Sequence, residues 1–529
     1  MKRILSILAP VLVAVSLLTV SCKSDKGPAN SAEMDAYLSG AAYLNHLPDK
    51  AELLVAFHPL QLLDKSHFAA DDEFAAFRND LFGEMDATTR IAAQAALQNP
   101  ALAGLDPDHP LVIAVANVEM TRDDIMADIY GVLPLTSREL FVKILNKADA
   151  DLVPDKDGNY RMEDNDYALT ILPEGVLFYG SLGRDMGRAA VARKMDEMVA
   201  KKSVYVGGPV AEAALTGGDD LAVFLSEDAA APVMKVLGIL ADTDVVKLLG
   251  GNPLEHLHSL LRVNCRRGKL LAEAKVEGSN PLFDRYTSWL GTPDKKDLAL
   301  LPGYLAVAGQ LAFQNVPDML DYAQGVLDRS GEADGIVLAD VLKAVGIERE
   351  DLNEIGTLSF GYIPNDNRDD LLLIARAGKK IVSTVDGMVG QLGLSRDPET
   401  GFMRLSGDYY AAFQGDYAYL TTGGMLTRST GSFAEDNPVF CDMLKGNSLI
   451  VDLALGFHIP YVNHALFTLA PAAANLEIVT ADQDDNAAKT LLLALIDFLQ
   501  SDIFTEEADD DFDEFYLGDD FDDEFDYLY

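Results

Sequence analysis

Short apolar runs alternate with amphipathic stretches along most of this chain, and the pattern is written twice. Leu47-Pro48 opens LPDKAELLVAFHPLQLLD, and Leu301-Pro302 opens LPGYLAVAGQLAFQNVPDMLD. Each is a strand-like run followed by an amphipathic segment ending Leu-Leu-Asp or Met-Leu-Asp. Further on, DGNYRMEDNDYALTILPEGVLFYGS from Asp157 matches TGFMRLSGDYYAAFQGDYAYLTTG from Thr400, so that Gly158 meets Gly401, Arg161 meets Arg404, and Asp166-Tyr167 meets Asp408-Tyr409. Two more pairs follow in the same order, from Gly217 against Lys445 and from Lys269 against Asn475, each reading as a strand and then a helix. Four matches in one order point to internal duplication.

Each copy reads as strand, helices, strand, helix, a run of two or three strands, helix, and two strand-helix pairs. Clustered strands with helices packed on them predict an α+β fold, an internally duplicated unit in which each copy is a mainly antiparallel sheet. The Asp157-Gly158 pair between alternating segments is a hairpin signal. Thr136-Ser-Arg-Glu139 reads as a capping box before LFVKIL, and Asp484-Asp485 as the start of a helix in NAAKTLLLALIDFL. The implied division is a signal peptide over 1–21, a polar tether over 22–42, a first repeat over 43–292, a second over 293–502, and a tail over 503–529. The join falls near GTPDKKDLAL, Gly291 to Leu300.

The leader sharpens this picture. Lys2-Arg3, an apolar run from Ile4 to Val20, and Ser21 before Cys22 read as a bacterial lipoprotein signal with Cys22 as the lipidation site, although Thr19 stands where Leu is commoner. An ordinary secretory peptide with an incidental cysteine is the alternative. Beyond the leader no apolar run reaches the length of a membrane-spanning helix. Ala465 to Ala474 and Leu491 to Leu499 come nearest and read as buried helices, the first interrupted by Pro471. Over 529 residues, 49% hydrophobic content and a mean hydropathy of +0.07 are globular values, enough for two or more domains.

Charge excludes one class of partner and constrains another. The chain carries 42 basic and 84 acidic residues, a net charge of −42, which repels phosphate backbones and excludes nucleic acid as a partner. It also repels anionic headgroups, so contact with the membrane falls to the N-terminal lipid. With Cys22 consumed, Cys265 and Cys441 remain. They read as two buried thiols, with a disulfide open in an oxidising compartment.

Glu506 to Tyr529 holds thirteen acids and no Lys or Arg, with Phe512, Phe515, Tyr516, Phe521, Phe525, Tyr527 and Tyr529 interleaved. That density cannot build a core. It reads either as a solubilising tail or as a linear motif that docks those aromatics on a basic protein partner.

No catalytic signature stands out, so the expectation is a non-enzyme without a cofactor. DKDGNYRMED resembles a calcium loop, but placing Gly158 at its sixth position puts Val153 where the first acid is needed, so a hairpin turn is expected. His256 and His258 alternate as two metal ligands would on a strand, yet no spacing supplies a third; His458 and His464 read as helical and off one face. The stretch YGSLG at Tyr179 is one residue short of a nucleophile elbow, and RAGKK at Arg376 lacks the rest of a phosphate loop. A single Trp289 argues against a stacking platform for glycans.

The run YLNHLPDKAELLVAFHPLQLLDKS, then LQNPALAGLDPDHPLVIAVANVE, then LFVKILNKADADLV and DGNYRMEDNDYAL, resembles an uncharacterised lipoprotein family of Bacteroidota. That family opens with an Ile-Pro-Lys-Asp-Ala-like strand and a Gly-Ile-Asp turn. Leu47-Pro48-Asp49-Lys50 and Gly104-Leu105-Asp106 stand at those places. The resemblance spans about residues 43–500 and implies a domain of unknown function, membrane-anchored, usually at the outer membrane, with no catalytic residues to carry over. The sequence is therefore expected to encode a lipid-anchored binding or scaffold protein of the cell envelope, facing the periplasm in preference to the surface. A surface glycan-binding or glycan-processing lipoprotein is the alternative; it requires exposed tyrosines and two convergent carboxylates in one pocket.

Overall fold

The computed structural model describes residues 41–500 except 84–89, 91–93, 95–96, 121–124, 148–151, 185, 202–214, 216–217, 230–242, 332–334, 365–368, 392, 399, 428–430 and 456–460. The fold is α+β. Its strands are β1 (Leu53–Phe57), β2 (Leu111–Met120), β3 (Ile125–Pro134), β4 (Tyr160–Glu163), β5 (Tyr167–Ile171), β6 (Gly175–Leu182), β7 (Leu221–Leu225), β8 (Leu257–Arg266) and β9 (Lys269–Gly278), then β10 (Val307–Ala312), β11 (Thr357–Ile363), β12 (Asp370–Arg376), β13 (Met403–Ser406), β14 (Tyr409–Gln414), β15 (Tyr417–Thr422), β16 (Leu449–Ala454), β17 (Val462–Ala470) and β18 (Ala473–Thr480).

All eighteen belong to one antiparallel sheet. Following its pairings from one edge gives β4-β5-β6-β3-β2-β1-β7-β8-β9. From the other edge they give β13-β14-β15-β12-β11-β10-β16-β17-β18. Adding nine to each strand number of the first path gives the second. The paths meet where β9 pairs antiparallel with β18, Ala274 opposite Ala474 and Ala272 opposite Leu476.

Helices pack on one face of each path. In the first, Leu54, Ala114, Val132 and Tyr179 are buried against Val191 and Met195 of the helix Arg188–Ala200 and against Leu44 and Leu47. In the second, Ala308, Ile374 and Ile450 are buried against Leu298, Leu301, Phe433 and Phe440. Leu47 and Leu301, which follow the short helical turns Ala42–His46 and Lys295–Leu298, are 0% and 1% exposed. Burying a leucine this fully is worth about 1.5–3 kcal/mol, so the two Leu-Pro openings are anchor points of the two layers.

Several local readings shift. Each path has nine strands where the sequence suggested six or seven, because β2 with β3, and β8 with β9, are long hairpins rather than single strands or strand-helix pairs. Ala465 to Ala474 is not a helix but the second half of β17, a two-residue turn at Pro471-Ala472 and the start of β18. His464 accordingly sits on a strand, while His458 lies outside the described residues. An Ala- and Leu-rich run favours helix intrinsically, but cross-strand burial overrides propensity. The helix Arg138–Lys147 takes its cap one residue later than the box suggested, from Ser137, whose Oγ accepts from the Leu140 N–H at 3.3 Å. The helix Ala487–Gln500 is capped by Asn486, whose Oδ1 accepts from the Ala488 N–H at 2.9 Å. At Asp157-Gly158 the turn is present, with Gly158 at φ 80° and a bridge between Pro154 and Tyr160 behind it.

Candidate functional site: an apolar sheet face across the seam

Strand residues alternate between faces, so the register of the sheet specifies what the face turned away from the buried layers carries. One row runs Met162, Leu169, Phe178, Gly131, Ile113, Val55, Val223, Leu261 and Ala274 across the first path. It continues over the seam as Ala474, Leu469, Leu449, Leu311, Leu358, Ala375, Ala418 and Phe413. A second row runs Phe57, Leu221, Val263, Ala272, Leu476, Phe467, Val451, Gly309, Phe360, Leu373, Leu420, Ala411 and Met403. Neither row contains one polar or charged side chain. On the opposite face beside the seam the register reads Arg262, Glu273, Asn475 and Thr468, a polar row in which Asn475 donates to the buried Thr468 hydroxyl at 3.0 Å.

The two rows are only partly filled: Met403, Ala411 and Ala474 are buried, while many of the other positions are half-buried. Leu53, Val55, Leu221, Val263 and Leu476 are half-buried around Val223, Leu261, Ala272 and Ala274, and among the described residues this cluster consists of strand residues alone. Phe467, Val451, Leu311, Leu358, Phe360 and Leu373 on the second path are likewise half-buried. Helices reach the face at its margins. Phe141, Val142 and Leu145 of Arg138–Lys147 cover Leu133, Leu169 and Val176, and the helix after β18 meets Cys265 and Leu270 through Ala487 and Ala488. Aromatic rings lie down along the sheet. A Cβ on Gly309 would stand 2.3 Å from Cζ of Phe360, and one on Gly180 would stand 3.0 Å from Cζ of Phe178. Glycine beneath a ring lets it lie flat.

Two helix contacts cross from one path to the other. Pro281–Ser288, which follows β9, is tied to Val316–Ser330, which follows β10, through Arg285 with Asp318 and Tyr286 with Tyr322; Ala487–Gln500, which follows β18, packs on Pro59–Lys65, which follows β1. At the first crossing Arg285 donates to both oxygens of Asp318 at 2.8 Å, and Trp289 Nε1 donates to the same carboxylate at 2.7 Å. The Arg285 guanidinium beside it holds the Asp318 carboxyl below the usual range. Tyr286, Trp289 and Tyr322 cluster with ring centroids 5.1–5.4 Å apart, beside an open pocket of about 500 Å³ lined by Arg285, Asn315, Asp318 and Arg349. At the second crossing Lys489 bridges Asp71, Glu73 and Asp485 at 2.6–3.0 Å.

Other ionisable groups are committed to the framework. Asp220, 1% exposed, accepts from Lys65 Nζ at 2.6 Å and from the Cys265 N–H at 2.7 Å. Burial raises the Asp219 carboxyl above its ordinary range although Asn264 and Arg262 offset it. Asp128 accepts from Tyr179 and Asn117, and Asp297 from Thr357 and from Tyr417, whose phenol burial pushes up to about 12.

Of the residues singled out in the sequence, Cys22 and the tail aromatics Phe512, Phe515, Tyr516, Phe521, Phe525, Tyr527 and Tyr529 lie outside the described residues. His256 stands 3.7 Å from Glu227 and His258 3.7 Å from Glu277, so the two imidazoles face different carboxylates. Cys265 and Cys441 are buried free thiols in separate clusters. No residue of the apolar face was singled out. Its signal lay in Leu53-Leu-Val-Ala-Phe57 and Leu221-Ala-Val-Phe-Leu225, which are apolar on every position, where an antiparallel strand with one wet face alternates.

No helix among the described residues is long and apolar enough to cross a membrane. No protein-family model matches the chain, and no curated protein matches it by sequence. Among solved structures it is similar to crystal forms of TP0453. Form III matches at 12% identity over 47% of this chain and 87% of that chain, with a TM-score of 0.26. Form IV matches at 12% over 44% and 79%, with 0.25, and form I at 12% over 45% and 79%, with 0.22. A likeness this slight fixes neither family nor activity.

Proposed function

We propose that the chain is a lipid-anchored, non-enzymatic binding protein of the cell envelope, made of two copies of one α+β unit, whose continuous apolar face holds a hydrophobic ligand. The observation that carries the binding reading is the pair of register rows without a polar side chain. A soluble monomer seldom leaves so extended an apolar surface without a use for it. Duplication is supported by the common strand order, by Gly158 and Gly401 both in the left-handed region at φ 80° and 76°, and by Tyr167 and Tyr409 opening β5 and β14.

The leader 1–21, lipidation at Cys22 and the tether 22–42 supply the attachment, with the repeats at 43–292 and 293–502 beyond it. Placement at the outer membrane facing the periplasm, and the resemblance to the Bacteroidota lipoprotein family, belong to the same proposal. The tail 503–529 is the segment offered to a basic protein partner; unchanged co-purifying proteins after deletion of 506–529 would remove that role. A glycan-binding alternative rests on the Tyr286–Trp289–Tyr322 cluster, but the carboxylate there is already held by Arg285 and Trp289, and we place it second.

The test is binding of an apolar fluorescent probe, 1-N-phenylnaphthylamine, to the Cys22→Ser chain. Saturable binding that Val263→Lys with Val451→Lys weakens by about tenfold, or about 1.4 kcal/mol, is expected. No binding, or equal binding to the folded double variant, contradicts the reading. Loss of metabolic labelling by an alkyne fatty acid in Cys22→Ser tests the anchor separately.

A further inference from the structure

We infer that the ligand of the apolar face is the acyl portion of a lipid, with several chains lying side by side along the strands. This inference rests on the binding reading above and names its ligand class. Protein partners are the first competing occupant, and composition speaks against them. A protein interface is little more than half apolar and carries about one hydrogen bond per 100–200 Å². The two rows here offer no side-chain donor or acceptor, and the backbone groups beneath them are consumed in strand pairing. A surface of this kind recognises by exclusion of water alone, which suits hydrocarbon.

Dimensions agree with that class. β1 and β7 are five residues long, about 17 Å at the usual rise per residue. One leaflet of hydrocarbon is about 15 Å deep. A chain laid along Leu53 to Phe57 therefore fits the depth of the face. Across the strands, the seventeen positions of the first row extend about 80 Å at the usual strand spacing, room for more than one chain. The flat rings of Phe178 and Phe360 serve the same end, since upright rings would divide the surface into separate compartments. The strongly acidic remainder of the chain would not attract anionic headgroups, so the chains carry the recognition.

The experiment uses the full mature chain with Cys22→Ser, purified without detergent and exposed to vesicles of phosphatidylethanolamine carrying a trace of radiolabelled lipid. Re-isolated protein is analysed for bound label, for oligomeric state by light scattering, and for displacement of 1-N-phenylnaphthylamine by palmitate. Stoichiometric label on a monomer, with palmitate displacing the probe from the unsubstituted chain, is the expected result. Probe binding without transfer of label or displacement by palmitate overturns the acyl inference and leaves the binding reading standing. A dimer that excludes both probe and label assigns the face to a second copy and also overturns it. No probe binding by a monomer overturns the inference together with the reading beneath it. The displacement measurement needs no variant, so a misfolded Val263→Lys or Val451→Lys does not shield the inference.

Discussion

The ring of Phe360 lies over the α-carbon of Gly309, its partner across the β10–β11 ladder. A methyl group at Gly309 would meet both the ring and the Ile450 carbonyl, 2.8 Å away. Gly309→Ala is therefore expected to destabilise by about 1–3 kcal/mol through overpacking. Gly180→Ala, beneath Phe178 with 3.0 Å to the ring, costs less because only a side chain must give way. Urea midpoints at unchanged slope measure both. An unchanged midpoint for Gly309→Ala would show that the ring does not lie flat.

Trp289 is the only tryptophan in 529 residues, and its indole donates to Asp318 at the first helix crossing. Tryptophan emission, excited selectively over the tyrosines, therefore reports that crossing alone. Asp318→Ala should shift the emission and lower stability by about 1 kcal/mol or less, since the pair is partly exposed and solvent screens it. Emission that stays fixed would mean the indole bond is absent in solution.

His464 on β17 stands 2.9 Å from Asp452 on β16, and that carboxylate raises the imidazole above its ordinary value against the cost of burial. A raised folded-state value means the pair stabilises fully below the free imidazole range, and the contribution is lost as pH rises through the folded value. His464→Gln should lower the Tm at about pH 5.5 and leave it nearly unchanged at about pH 8.5. Equal effects at both would assign the cost to packing instead.

Burial raises the thiols of both Cys265, to about 12, and Cys441. With Cys22→Ser, an aromatic disulfide reagent is expected to find no reactive thiol in the native chain and both thiols in urea. Rapid native reaction at either would place that cysteine outside its cluster.

Much of this architecture was legible in the chain because the two strand paths begin at the same words. Leu47-Pro48 and Leu301-Pro302 each precede a first strand and plant a leucine in the helix-covered layer, and Gly158 and Gly401 are glycines because both turns need positive φ. What stayed hidden were pairings distant in sequence. The β9–β18 seam joins segments some two hundred residues apart, and the Ala-Leu content around His464 disguised β17 as helix. The apolar face was hidden for a related reason. An all-apolar strand reads as one buried on both sides, and only the register reveals that one side lacks a helix among the described residues.

Ile450 and Val451 are adjacent on β16 and point to opposite faces: Ile450 is fully buried in the helix-covered layer, and Val451 is half-buried in the second apolar row. Native-state maleimide labelling of Ile450→Cys and Val451→Cys, each in the Cys22→Ser chain, tests the central claim most directly. The expected result is prompt labelling at Val451→Cys that 1-N-phenylnaphthylamine slows, with Ile450→Cys protected until the chain unfolds. Equal protection at both positions would show the face already covered and would contradict its role as the binding surface.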